Sequence, residues 1–275
     1  MKPSTLILAA IILGFSAGLA AAQSPRVEQE RYETCLSLID QNPDQAFDMA
    51  IEWRDNGGRM PARHCAALAL IGLELYPQAA ERLELLAVAP GRAGTLLRAE
   101  ILGQAGMAHA LHGDSAAARI AFERALDMLR QADLDGPENL APLLVDLASV
   151  HLMFGDAQST LDITREIVDA LDTHPPHIMA EALALRASAL RGVEDKGGAD
   201  REAQAALAYQ PNHPRALYER GLYAQSQGDG ETARTFLLQA IAVDDKSELA
   251  ELARIALQNM ALNRAPASQA PATQP

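Results

Sequence analysis

Aromatic side chains are scarce in this sequence: Phe, Tyr and Trp make up 4% of 275 residues, with a single Trp. At 49% apolar overall, the core must come mainly from Ala and Leu, and many of these with few β-branched runs favour helix. Basic charge is in deficit too. Lys and Arg number 23 against 36 Asp and Glu, a formal charge of −13 that disfavours nucleic acid and anionic membrane surfaces as partners. Acidity of this size supports solubility without naming what binds instead. Signatures of catalysis are missing: there is no phosphate-cradling glycine loop, no Gly-x-Ser-x-Gly elbow and no His-Glu-x-x-His. No apolar run after residue 22 is long enough to span a bilayer, which takes about 20 residues. Nothing in the residues points to an enzyme or to a cofactor.

What is present is a repeated brick. From Pro214 to Asp244 the chain reads as two short amphipathic helices joined by a tight turn. Leu217, Gly221 and Ala224 share one face of the first helix, and Ala233, Leu237 and Ala240 one face of the second. Gly228 closes the first helix, because glycine takes the left-handed conformation without a side-chain clash, and Asp229 is placed to cap the next. Gly221 and Ala233, both small, permit close approach of the two backbones. The same offsets recur 34 residues upstream at Leu183, Ala187, Ala199, Ala203 and Ala206. They recur at Leu144, Ala148, Thr160, Thr164 and Ile167 around Gly155-Asp156, and at Leu102, Gly106, Ala118, Phe122 and Ala125 around Gly113-Asp114. Ala67, Ala79, Leu83 and Leu86 continue the series, although Arg63 stands at its first apolar position.

On these residues the sequence resembles the tetratricopeptide repeat (TPR) family, whose period is about 34 residues, over roughly 30 to 245. The resemblance implies an all-α, right-handed superhelical solenoid of about six stacked antiparallel helix hairpins with a C-terminal capping helix. One hairpin cannot bury its own apolar face, so stacking is obligatory.

Met1 to Ala22 carries Lys2, an apolar run from Leu6 to Ala21 and small residues at Ala20 and Ala22, the pattern of a cleaved secretory signal peptide. The expectation is an exported protein, periplasmic if the source is Gram-negative, with no membrane insertion after cleavage. Removing Lys2 leaves a charge of −14. The expected organisation is a signal peptide at 1–22, degenerate hairpins at 23–94, repeats at 95–245, a capping helix at 246–263 and a disordered tail at 264–275. In the first hairpin Tyr32, Leu36 and Ile39 face inward, Pro43 opens the second helix, and Ala46, Ala50 and Trp53 form its stripe, with Trp53 as a core anchor. Units three and four are 42 residues apart, and units four and five 39. Those extra residues, near Gln131 to Glu138 and around His174 and His177, are expected to lengthen loops. Gly192 to Gly198 reads as an irregular turn. Ser247 is expected to cap the last helix, with Leu249, Leu252, Leu257 and Met260 inward.

Cys35 and Cys65 fall in the first helices of units one and two, 30 residues apart and close to one period. First helices of stacked hairpins lie side by side, so an even pair in an exported protein reads as a disulfide. The alternative, a reactive thiol helped by His64, is poorly served by geometry, because adjacent helical residues point about 100° apart. His109, His112 and His151 with Asp114 are the residues to weigh for a metal, and no metal is expected. His109 and His151 stand where this family commonly buries an aromatic, which implies core packing.

In this family the first helix of each hairpin lines the concave face. Carried over by position, that face holds Gly103, Met107, Ala110 and Leu111; Val145, Ser149, Leu152 and Met153; Ala184, Ser188 and Arg191; and Arg215, Tyr218, Leu222 and Gln225. The clamp of Lys, Arg and Asn by which some members hold C-terminal carboxylates is absent. The lining is mostly apolar and neutral, suited to an apolar or amphipathic segment of another protein, or else several of these side chains pack between hairpins. The expected function is an exported, non-catalytic interaction scaffold, by analogy in envelope complex assembly. The alternatives are a homo-oligomeric structural protein, or a thiol- or metal-dependent enzyme.

Overall fold

The computed structural model describes residues 25–90, 94–170 and 174–264. The expected signal peptide and nearly all of the expected tail lie outside them. Among the described residues there are thirteen helices, and they pair into six antiparallel hairpins. The hairpins are α1 (Pro25–Ile39) with α2 (Pro43–Asp55), α3 (Arg59–Gly72) with α4 (Tyr76–Val88), and α5 (Thr95–Leu111) with α6 (Ser115–Gln131). Then come α7 (Pro137–Met153) with α8 (Ala157–Asp169), α9 (Pro176–Gly192) with α10 (Lys196–Tyr209), and α11 (Pro214–Ser226) with α12 (Gly230–Val243). The last helix, α13 (Glu248–Arg264), packs on α12 and α11 and closes the stack. No described helix is long and apolar enough to cross a membrane.

The periodic residues are the core. Leu102, Gly106, Ala118, Phe122 and Ala125 are buried, as are their equivalents in each later hairpin, including Thr160 and Thr164. Those two threonines satisfy their hydroxyls on backbone carbonyls, Thr160 on Ala148 and Asp156, Thr164 on Thr160. Small residues are required where helices cross. A Cβ on Gly106 would lie 2.7 Å from the Phe122 ring, and one on Gly221 would lie 2.7 Å from Leu237. Trp53 is buried at the start of the stack, as expected of a core anchor.

The turns of hairpins three, four and six share one chemistry. Gly113, Gly155 and Gly228 take positive φ, and the residue after each sends its N–H back to the carbonyl five positions earlier, closing the first helix. The carboxylates of Asp114, Asp156 and Asp229 then accept the N–H of Ala117, Ser159 and Thr232 and start the second. Each such cap is worth about 1 kcal/mol. The stretch from Gly192 to Gly198 is not irregular after all. Glu194, seven residues after Ala187, adopts φ 65° in place of glycine, and Asp195 caps α10 on Gly198.

Two further expectations are corrected. The inserted residues extend helices more than loops: α6 and α7 have 17 residues each, against 14 in α12 and 13 in α11. In α13, Ala250, Ala253 and Ala256 make the buried stripe, and Leu252 is exposed. Alanines every third residue let the helix settle close to α12, leaving the larger leucine on its flank. Ser247 does cap α13, its hydroxyl accepting the Ala250 N–H.

A candidate binding groove on the inner face

First helices of successive hairpins touch, α1 with α3, α5 with α7, α7 with α9 and α9 with α11, while second helices pack on first helices rather than on one another. Elements on the inside of a curve lie closer than those on the outside. The first helices therefore line the inner face.

Side chains meet across that face from hairpin to hairpin. Tyr32 Oη lies 2.6 Å from His64 Nδ1, and His64 Nε2 lies 2.5 Å from Gln104 Oε1, linking α1, α3 and α5. Burial lowers the His64 pKa, against the Gln104 hydrogen bond that would raise it, so the ring is neutral. Gln104 Oε1 accepts from Nε2–H, and Nδ1 in turn accepts the Tyr32 hydroxyl. Burial, with the Glu100 charge second, raises the Tyr32 pKa.

Further along, the inner face is acidic. Asp146 on α7 is pushed up to about 6, first by the surrounding wall and then by the Glu181 carboxylate on α9. The residue nevertheless keeps solvent access, as a group in a concave surface does. Burial would raise Glu181 as well, but the hydrogen bond from His213 Nε2 at 2.9 Å and the charge of Arg215 outweigh it and hold Glu181 low. The next rung joins α9 to α11. The Glu219 carboxylate, 1% accessible, accepts the Ser188 hydroxyl at 2.7 Å and a two-pronged contact from Arg191 at 2.7 and 3.2 Å.

The residues expected on the concave face divide three ways. Val145 and Ser188 are buried and support the groove from beneath, as do Gly103, Ala110 and Ala184. Met107, Ser149, Leu152, Arg215, Tyr218, Leu222 and Gln225 are half-buried. Leu111, Met153 and Arg191 are exposed. The expected apolar, neutral lining is also corrected, because Gln104, Asp146 and Glu181 contribute to it, with Glu219 buried beneath. Gln104, Asp146 and Glu219 each stand two residues before the small crossing residue (Gly106, Ala148, Gly221), a polar column the carry-over by family position passed over.

Cys35 and Cys65 form a disulfide with their Cα atoms 6.3 Å apart, bridging α1 and α3. No free thiol remains among the described residues. His109 and His151 are half-buried rather than core. His109 Nε2 approaches Glu84 at 3.4 Å, and His151 Nδ1 pairs with the capping carboxylate of Asp156 at 3.0 Å. Among the described residues no group of three or more His, Cys, Asp or Glu is arranged to hold a metal ion.

Stacked hairpins with a continuous inner face define a helical-repeat solenoid, and the fold is that of the tetratricopeptide-repeat proteins. No family model and no curated protein matches the sequence. Solved structures do. The apo quorum sensor NprR of B. thuringiensis is similar at a TM-score of 0.64 and 14% identity, over 86% of this chain and 70% of that one. NprR in complex with its cognate peptide NprX gives 0.60 and 14%, over 89% and 75%. PilF of Pseudomonas aeruginosa gives 0.55 and 14%, over 84% and 98%. Cut9, from the APC/C hetero-tetramer Cut9–Hcn1, gives 0.57 and 15%, over 84% of this chain but only 46% of that one, so this chain spans less than half of it.

Proposed function

We propose that the chain is an exported, non-catalytic scaffold whose inner groove holds an amphipathic segment of another protein. The observation that carries this reading is the solvent-accessible Asp146 beside Glu181, on the same face as the exposed Leu111 and Met153. A ligand matched to that surface presents apolar side chains and a Lys or Arg to the carboxylates. NprR, with the same fold, is known in complex with a peptide, which supports a protein segment as the kind of ligand. Export rests on the leader pattern of Met1 to Ala22, and a role in assembling envelope complexes on analogy with exported repeat proteins.

The test is in-cell crosslinking of the tagged protein followed by mass spectrometry, beside a variant carrying Asp146→Lys and Met153→Glu. One protein captured by wild type and lost in the variant is the expected result. Capture that ignores the variant refutes the groove, and self-crosslinks alone transfer the function to homo-oligomerisation. N-terminal sequencing of the tagged protein from cells is expected to begin at Gln23.

A further inference from the structure

Arg63, the residue that interrupts the repeat pattern of the second hairpin, lines a cavity of about 440 Å³ between α2, α3 and α4. Arg54 of α2 and Arg82 of α4 line it too, beside Leu85, Leu86 and two alanines. It is not the inner groove: Arg54, Arg82 and Leu85 belong to second helices, and Arg63 is one residue, about 100° of helical turn, from the inner-facing His64. Three arginines around one cavity run against the balance of a chain of charge −13. Neither Arg63 nor Arg82 has a carboxylate partner among the described residues, whereas Arg54 pairs with its neighbour Asp55. The Arg82 guanidinium is braced over the Phe47 ring, 5.3 Å from its centre. Stacking of this kind holds the planar donor fork in place for an oxyanion. On the same helix Leu85 and Val88 are 62% and 58% exposed, an apolar flank without a partner.

We propose that this cavity binds an anionic amphiphile, its phosphate or carboxylate head held by Arg54, Arg63 and Arg82 and its apolar body laid along Leu85 and Leu86. The volume is that of a small-molecule site, and guanidinium groups match both head groups bidentately. The chain's overall negative charge selects a single anionic head over a polyanion. The amphiphile is either free in solution or the head group of a lipid in a bilayer.

The test is calorimetric titration of the full chain with octyl phosphate below its micelle-forming concentration, with inorganic phosphate and octyl glucoside as controls. Octyl phosphate is expected to bind at least about tenfold more tightly than either control, and added salt to weaken it. An Arg63→Gln, Arg82→Gln variant is expected to lose about tenfold or more while melting as wild type does, since both side chains are exposed. Leu85→Ser is expected to erase the advantage of the octyl chain and keep the weaker phosphate response. Co-sedimentation with phosphatidylcholine vesicles, with and without phosphatidic acid, assigns the source. Binding to the acidic vesicles makes it a lipid, and binding only to free octyl phosphate makes it a soluble ligand. No binding by wild type, or equal binding by the double arginine variant, overturns the proposal. Neither result bears on the inner groove, which these substitutions leave intact.

Discussion

Ser188 on α9 donates its hydroxyl at 2.7 Å to the buried carboxylate of Glu219 on α11, and Arg191, one turn on from Ser188, closes on the same carboxylate. This joins hairpins five and six through a charge that water reaches hardly at all. Arg191→Ala leaves Glu219 with one donor. The expected loss is roughly 1–3 kcal/mol, the cost of a buried polar group left short of partners. Glu219→Gln keeps a hydrogen-bonding carbonyl for Ser188 and should cost less. Urea unfolding of the two variants beside wild type checks the order, and equal losses would remove the assigned role of the Arg191 contact.

Asp146 gives the groove a pH response. In the folded chain it titrates near 6, against 3.8 for an unperturbed carboxyl. Between those values the folded state holds the extra proton, so this residue's contribution falls as pH rises from about 4 to about 6 and is at its best below that window. Asp146→Asn is therefore expected to be more stable than wild type at about pH 7.5 and level with it near pH 3.5, by a modest margin because the carboxylate stays partly solvated. Melting curves of both proteins across that range decide it. A difference independent of pH would mean that Asp146 is not raised.

Glu194 occupies a left-handed position that glycine fills in three other turns. A side chain there costs about 1–2 kcal/mol, and glycine returns part of that through unfolded-state entropy. Glu194→Gly should stabilise the chain by about 0.5–1 kcal/mol. The Lys196 contact it removes is 4.0 Å long and exposed, worth little. A lower unfolding midpoint for the variant would contradict this account.

The disulfide closes a 30-residue separation at the start of the stack. On the loop-entropy model it stabilises by roughly 3–4 kcal/mol. Reductant should lower the wild-type melting temperature and leave Cys35→Ser unaffected. A wild-type melt that ignores reductant would show that the bridge does not form.

The sequence alone determined the solenoid, because burial in stacked hairpins depends on residue size at fixed spacing. Gly106 beneath Phe122, Gly221 beneath Leu237 and the Gly-Asp turns announce themselves locally, as does the Cys35–Cys65 pair one period apart. The fifth turn was legible only by its offset from Ala187, since Glu194 offers no glycine to read. Tertiary structure decided the rest. Whether Val145 or Ser188 faces solvent depends on how far adjacent first helices rotate toward each other, which a periodic pattern leaves open. The links from Tyr32 to His64 to Gln104, and from Ser188 to Glu219, span about 30 to 40 residues of chain, so no local window contains them. Arg63 makes the point most sharply. In the sequence it is a blemish at an apolar position, and only the approach of α2 and α4 gives it Arg54 and Arg82 as neighbours around a common cavity.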